Sequence, residues 1–328
     1  MLALSSAGAG GSRSAAGRTG LFEIGADGSG ARVLLEDPGL LLDLSPSRDQ
    51  ALLVRPNAGS FDLKTADLAS GRERLLLTTS DWILSGTWSP DGRSIAFDSS
   101  DSSSCGASGC GQDNVWVVHP DGSGLRRVAT RAGQPSWAPD SRRLVYVGRF
   151  DPATKRGVLT ISTPAGRGRR QLGRRGLIGS PRWSPDGRWI AYLGPPGEEN
   201  GGAVSVIRVD GRRLRRYGRG AQLAWSPGGR RLAFRRGNAP ASLLTLERKT
   251  GRVRRLAASW DLAAPAWRLY GTVLAYVRYT GSACGSDTTL EVVGLQGVTR
   301  EVTPLPRCVQ VPRVFWSRDG RQLFYVSY

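Results

Sequence analysis

Histidine is nearly missing from this 328-residue chain: there is one, His119. Lysine is almost as scarce, because only Lys64, Lys155 and Lys249 among the 46 basic residues are not arginine. A single imidazole excludes a metal centre built from several histidines. It also leaves nucleophilic hydrolysis with one candidate base, and nucleophile and base must be neighbours. No Gly-x-Ser-x-Gly elbow is present to set a serine on a strand-to-helix turn. No stretch approaches the ~20 apolar residues that span a bilayer as a helix. Negative charge is also short, so the net charge is +19. Hydrophobic residues at 39% and charged residues at 22% are ordinary for a globular protein with a buried core.

What is abundant is repetition. The stretch Arg182-Trp183-Ser184-Pro185-Asp186-Gly187-Arg188-Trp189-Ile190-Ala191-Tyr192-Leu193 reads as strand, tight turn, strand. Pro presets φ and Gly tolerates φ > 0 in the turn. With the Trp as position zero, copies stand at Trp88, Trp137, Trp183, Trp225, Trp267 and Trp316, with a degenerate copy at Leu44. Seven residues on comes an aliphatic residue, from Ile95 to Leu323, and two further an aromatic, from Phe97 to Tyr325. The spacing of 42 to 49 residues is the length of a four-stranded propeller blade. A second hairpin follows each first one and turns at a glycine such as Gly71, Gly122 or Gly251.

The ends complete the count. Leu21–Leu35 is a second hairpin without a first, and Phe315–Val326 is a first hairpin without a second. Together they make one blade, so the sequence predicts an all-β, single seven-bladed β-propeller of four-stranded blades, closed by pairing its N- and C-terminal hairpins. Six blades is the alternative, if the Leu44 unit is an insertion. Residues 20–328 form the propeller and residues 1–19, rich in Ala, Gly, Ser and Arg, a flexible lead.

The units Trp88-Ser89-Pro90-Asp91-Gly92-Arg93, Trp183-Ser184-Pro185-Asp186-Gly187-Arg188 and Trp316-Ser317-Arg318-Asp319-Gly320-Arg321 resemble the TolB-type, WD40-like (PD40) propeller family. Trp137-Ala138-Pro139-Asp140 and Trp225-Ser226-Pro227-Gly228-Gly229 are weaker copies. The resemblance covers nearly the whole chain and implies a fold rather than a chemistry. Related propellers precede prolyl-oligopeptidase-like hydrolase domains or carry the multi-histidine metal site of lyases. This sequence has the residues of neither, so no catalytic residue, metal or cofactor is expected.

Four cysteines allow three pairings. Cys105 and Cys110 share one loop on the upper face; Cys284 and Cys308 lie in two neighbouring upper loops. Blade position favours disulfides 105–110 and 284–308, the longer worth on the order of 3 kcal/mol. Disulfides imply an oxidising compartment: periplasm, cell surface or secreted. Met1-Leu2-Ala3-Leu4 is too short for an export signal's ~7–15-residue apolar core. Either translation starts further upstream, or the protein is not exported by that route. Asp98, Asp101 and Asp113 flank the first cysteine loop and offer oxygen ligands for Ca²⁺, at a spacing that matches no calcium loop. Glu198-Glu199 read as solvent-facing, and His119 as an exposed strand end.

A ligand belongs at the mouth of the channel, where loops enter the innermost strands. Candidate partner-binding residues there are Asp81, Trp82, Gln134, Gln222, Trp260 and Asp261. A Trp beside a carboxylate is a typical recognition anchor. The expected function is a monomeric, non-catalytic binding or scaffold protein of the cell envelope with a protein or peptide partner. The alternative is a polyanion or surface-glycan binder using its arginine-rich edges. A coding bias and protection of strand edges explain the same arginines without a ligand.

Overall fold

The computed structural model describes residues 19–101, 113–151, 154, 156–196, 202–237, 239–281, 287–305, 311 and 313–328. The four cysteines and Glu198-Glu199 lie outside the described residues, as does all of the N-terminal lead except Thr19. Every regular element among the described residues is a strand.

Strands β1 (Gly20–Gly25) and β2 (Arg32–Glu36) come first. Blade 1 is β3 (Leu40–Leu44), β4 (Gln50–Asn57), β5 (Ser60–Asp67) and β6 (Glu73–Thr79). Blade 2 is β7 (Trp82–Trp88), β8 (Ile95–Ser100), β9 (Asp113–Val118) and β10 (Arg126–Thr130). Blade 3 is β11 (Gly133–Trp137), β12 (Leu144–Asp151), β13 (Arg156–Ser162) and β14 (Arg170–Leu177). Blade 4 is β15 (Gly179–Trp183), β16 (Trp189–Pro196), β17 (Gly202–Arg208) and the first half of β18 (Arg215–Trp225). Blade 5 is the rest of β18 with β19 (Arg231–Arg236), β20 (Ala241–Glu247) and β21 (Val253–Ser259). Blade 6 is β22 (Asp261–Trp267), β23 (Val273–Tyr279), β24 (Thr288–Gly294) and β25 (Thr299–Leu305). Then β26 (Val314–Trp316) and β27 (Gln322–Ser327) join β1 and β2 in the order β2-β1-β27-β26.

That last sheet closes the ring with strands from both ends of the chain, paired in register from Gly20↔Ser327 to Gly25↔Gln322. The Leu44 unit is a complete sheet and not an insertion. Strand β18 is continuous: Gly220 pairs with Gly202 of β17, and the next residue, Ala221, pairs with Arg235 of β19.

The core sits between blades rather than within one. Each interface has its own cluster of buried apolar side chains, as between blades 3 and 4, where Leu159 and Ile161 meet Trp183 and Tyr192. Leu21 and Phe324 of the closing sheet meet Leu41 and Leu53 of blade 1 in the same way. Among the described residues, seven clusters join seven four-stranded units into one ring.

The recurrent Trp packs against the preceding blade, buried in every copy but the half-buried Trp225. The indole N–H of Trp137, Trp225, Trp267 and Trp316 donates across the interface to the carbonyls of Thr87, Arg182, Ala224 and Ala266, at 2.9–3.2 Å. After it the serine is buried and organises the turn. Ser89 Oγ donates to Asp91 at 2.6 Å and accepts the Ser94 N–H at 2.9 Å. Ser317 repeats this with Asp319 and Gln322. Gly92, Gly187 and Gly320 supply the left-handed φ at 67–72°. In the degenerate copy Arg48 adopts φ 65 instead. Its guanidinium donates to the Trp316 carbonyl at 3.2 Å and lies over Phe315, tying blade 1 to the closing blade.

Candidate functional site

The upper mouth is the end at which each outer strand hands over to the next inner strand. The six residues predicted there surround the mouth rather than cluster. Asp81 and Trp82 stand at the entry to blade 2, Gln134 in blade 3, Gln222 in blade 5, and Trp260 and Asp261 at the entry to blade 6. Blades 2 and 6 are well separated around the ring, so the two Trp-Asp pairs do not form one site.

Each pair is anchored to its own surroundings. Trp82 is 47% exposed and rests on Phe61 of blade 1, ring centroids 4.6 Å apart. Asp81 accepts from Ser99 Oγ at 3.1 Å, and Ser99 in turn accepts the Trp116 indole N–H. Trp260 is 46% exposed. Asp261 makes a 2.7 Å ion pair with Arg235 of blade 5.

The two glutamines bind the ring together. Gln134, Ser180, Gln222 and Ala264 all stand three residues before a motif Trp, and all adopt φ of 50–57°. Each sits in a bulge that shifts the inner strand's register. Gln134 Oε1 accepts the Ser180 N–H at 2.5 Å, and Gln222 Oε1 accepts the Ala264 N–H at 3.1 Å. Their carbonyls therefore lace one bulge to the next. What they present to the mouth is the rest of an exposed side chain.

Sequence reasoning missed two features. The first is apolar: Leu40 and Leu84, 44% and 49% exposed, stand on the neighbouring entry strands β3 and β7 with Trp82. The second is charged. Arg182 directly precedes a motif Trp, where other blades place Asp43, Thr87, Ser136, Ala224, Ala266 and Phe315. Its side chain is wetted, yet protein surrounds it, and burial lowers its pKa to about 10. The Arg313 charge pushes the same way and Asp43 opposes. Those two belong to the side of the ring facing blade 4, so Arg182 projects into the channel. Asp43 is largely spoken for: it accepts from the Leu44 N–H, Thr87 Oγ1 and the Trp88 N–H at 2.9–3.0 Å. Arg182 and Arg313 thus set two positive charges against the one carboxylate of Asp43.

Asp98 is fully buried, with Ser85 Oγ and the Gln134 N–H donating to it at 2.7 Å each. Burial raises its pKa. Asp113 is pushed up to about 6, by burial first and then by the Asp98 charge. A Cβ on Gly133 would lie 3.0 Å from one carboxylate and 3.4 Å from the other, so glycine is what lets this inner strand pass the pair. Among the described residues no group of three acidic, cysteine or histidine side chains is arranged to hold a metal ion. His119 is on a hairpin at the lower rim, its Nδ1 donating to the Arg93 carbonyl at 3.0 Å.

With the ring and mouth defined, the chain can be compared with known proteins. No protein-family model and no curated sequence matches it. Solved structures do. TolB from Acinetobacter baumannii is 16% identical with a TM-score of 0.55, the match covering 87% of this chain and 65% of that one. A putative TolB from Agrobacterium tumefaciens is 17% identical with a TM-score of 0.56, covering 95% of this chain and 98% of that one. An oligogalacturonate lyase in complex with manganese is 15% identical with a TM-score of 0.67, covering 95% and 97%. The protein has the fold of the TolB-like β-propellers. At these identities the likeness is one of fold, shared by binding proteins and enzymes alike. No helix among the described residues is long and apolar enough to cross a membrane.

Proposed function

We propose that the protein is a monomeric binding scaffold of the cell envelope that holds a protein or peptide partner over its upper mouth. The observation that carries this reading is the apolar edge formed by Leu40, Trp82 and Leu84 beside Arg182 in the channel. Exposed aromatic and aliphatic side chains next to fixed charge suit a partner that brings its own apolar anchor and a carboxylate. The role is non-catalytic: the one imidazole, the base most nucleophilic sites use, is bonded to a main-chain carbonyl at the opposite rim. Placement in the envelope rests on the disulfides that the sequence leads one to expect at Cys105, Cys110, Cys284 and Cys308.

The test is affinity capture from an envelope extract with the wild-type chain and with W82A/W260A, at low and high salt. A discrete protein retained at high salt by the wild type, and reduced at least tenfold by the double variant, is expected. Equal retention by both removes the mouth as the site. Acidic material shed at high salt supports the polyanion reading instead, since counterion release makes such binding steeply salt-dependent.

A further inference from the structure

Blades 3 and 6 carry the same tyrosine at the same place, nine residues after the motif Trp, and surround it differently. In blade 6, Tyr276 lies across from Glu291 in the sheet. Its hydroxyl donates to Glu291 Oε2, and Arg278 Nε donates to Oε1 of the same carboxylate. Hydroxyl, carboxylate and guanidinium satisfy one another. In blade 3, Tyr146 lies across from Thr160. Gly148 stands where blade 6 has Arg278. The Tyr146 side chain is 1% exposed, and its Oη has no hydrogen-bond partner.

Where blade 6 is filled, blade 3 is hollow. A cleft of about 530 Å³ lies between blades 2 and 3, with Tyr146, Gly148 and Thr160 in its wall. A Cβ on Gly148 would fall 2.6 Å from Thr160 Oγ1 and 3.3 Å from the Tyr146 ring, so the missing side chain keeps this wall open. The cleft extends into a lobe of about 300 Å³ lined by Thr130, Arg131, Arg149 and Arg169. Among the described residues that line either part there is no Asp or Glu. Arg169 donates to the carbonyls of Gly166 and Val128 at 3.0 and 2.8 Å, and Arg131 to that of Phe150 at 3.4 Å. Neutral carbonyls hold these guanidinium groups in place without cancelling their charge. The cleft thus holds a tyrosine hydroxyl and guanidinium groups, as the blade 6 network does, without a carboxylate among its described lining residues.

We infer that the cleft between blades 2 and 3 binds a small phosphate ester, its phosphate in the arginine lobe and its uncharged, hydroxylated body along the Tyr146–Thr160 wall. Guanidinium groups take phosphate oxygens in paired N–H···O contacts. An oxygen of the ligand's hydroxylated body also gives the buried Tyr146 hydroxyl the acceptor that Glu291 gives Tyr276. The volume suits a ligand of sugar-phosphate size. This site is separate from the channel mouth and stands or falls independently of the partner proposed there.

The experiment is isothermal titration of the full chain with glucose 6-phosphate, inorganic phosphate and glucose at 150 mM salt. One-to-one binding of glucose 6-phosphate, at least tenfold tighter than inorganic phosphate, with none of glucose, is expected. R131Q/R169Q should lower the affinity at least tenfold, and Y146F about threefold to tenfold. Should the double variant fail to fold, R131Q alone carries the charge test. Absence of saturable binding, equal affinity for inorganic phosphate, or unchanged affinity in both R131Q and Y146F overturns the proposal.

Discussion

Blade 6 and blade 3 are two answers to one packing problem. Both bury a tyrosine between sheets, and a buried hydroxyl needs a partner. Blade 6 supplies one from its own chain, through Glu291 and Arg278. Blade 3 has a glycine and a threonine in those places, and a cleft results. A repeat fold sets the position of the tyrosine. What stands around it varies freely between copies, and that is where a propeller acquires individual properties.

Removing the internal anion should break blade 6 most severely. In E291Q the 30%-exposed Arg278 side chain and the Tyr276 hydroxyl lose a charged acceptor. The expected loss is about 2–4 kcal/mol, somewhat below the usual cost of splitting a buried pair because Arg278 stays partly wet. Urea unfolding measures it; a loss under 0.5 kcal/mol would mean that the network is incidental.

The two tyrosines themselves should respond with opposite signs. Y276F is expected to lose about 1–2 kcal/mol, since it strips a donor from a buried carboxylate. Y146F, measured without ligand, is expected to be neutral or up to about 1 kcal/mol more stable, because an unpaired hydroxyl leaves the core. Equal losses in both variants would dissolve the contrast.

A smaller, pH-dependent effect belongs to the other side of the blade 2–3 interface. Asp113 titrates near 6 in the folded protein and near 3.8 when unperturbed. The folded state therefore binds this proton first as pH falls. Stability should rise as pH drops through about 6 and level off near 4, the reverse of an ion-paired aspartate. In D113N that contribution vanishes: the variant should be more stable than wild type at pH 7.5, by about 1 kcal/mol once solvent screening of a half-exposed group is allowed for, and equal to it at pH 4. A constant difference across that range would assign the effect elsewhere.

Much of the architecture was readable in advance, for a physical reason. The motif Trp packs against the preceding blade, and in four of its six copies bonds to it, while the Ser-Pro-Asp-Gly turn has its own hydrogen-bond circuit, so both recur wherever a blade must be joined to a blade. Leu44 could replace Trp because Arg48 makes the link to the Trp316 carbonyl instead. The mouth was less readable. Trp82 and Trp260 are exposed at the mouth, but Gln134 and Gln222 use their carbonyls between blades. Their bulges depend on backbone φ that no pattern of apolar residues encodes. Arg182 was hidden among many arginines, and its reach into the channel follows only from ring closure. The blade 3 cleft was invisible because it consists of what Gly148 and Thr160 lack, and a deficit is seen only beside a filled counterpart.

The pairing of β1 with β27 also sets a timetable. The second strand of that pair is made at the far end of the sheet-forming chain. At about 5–20 residues per second, the roughly three hundred residues between them take some fifteen seconds to a minute to synthesise. Through that interval β1 offers an uncovered edge, and Leu21, Phe22 and Ile24 have no neighbours from the last sheet. The blades between can stack as they emerge, but the circle stays open until the final strand is free. A protein joined this way is vulnerable while it is being born and hard to prise apart afterwards.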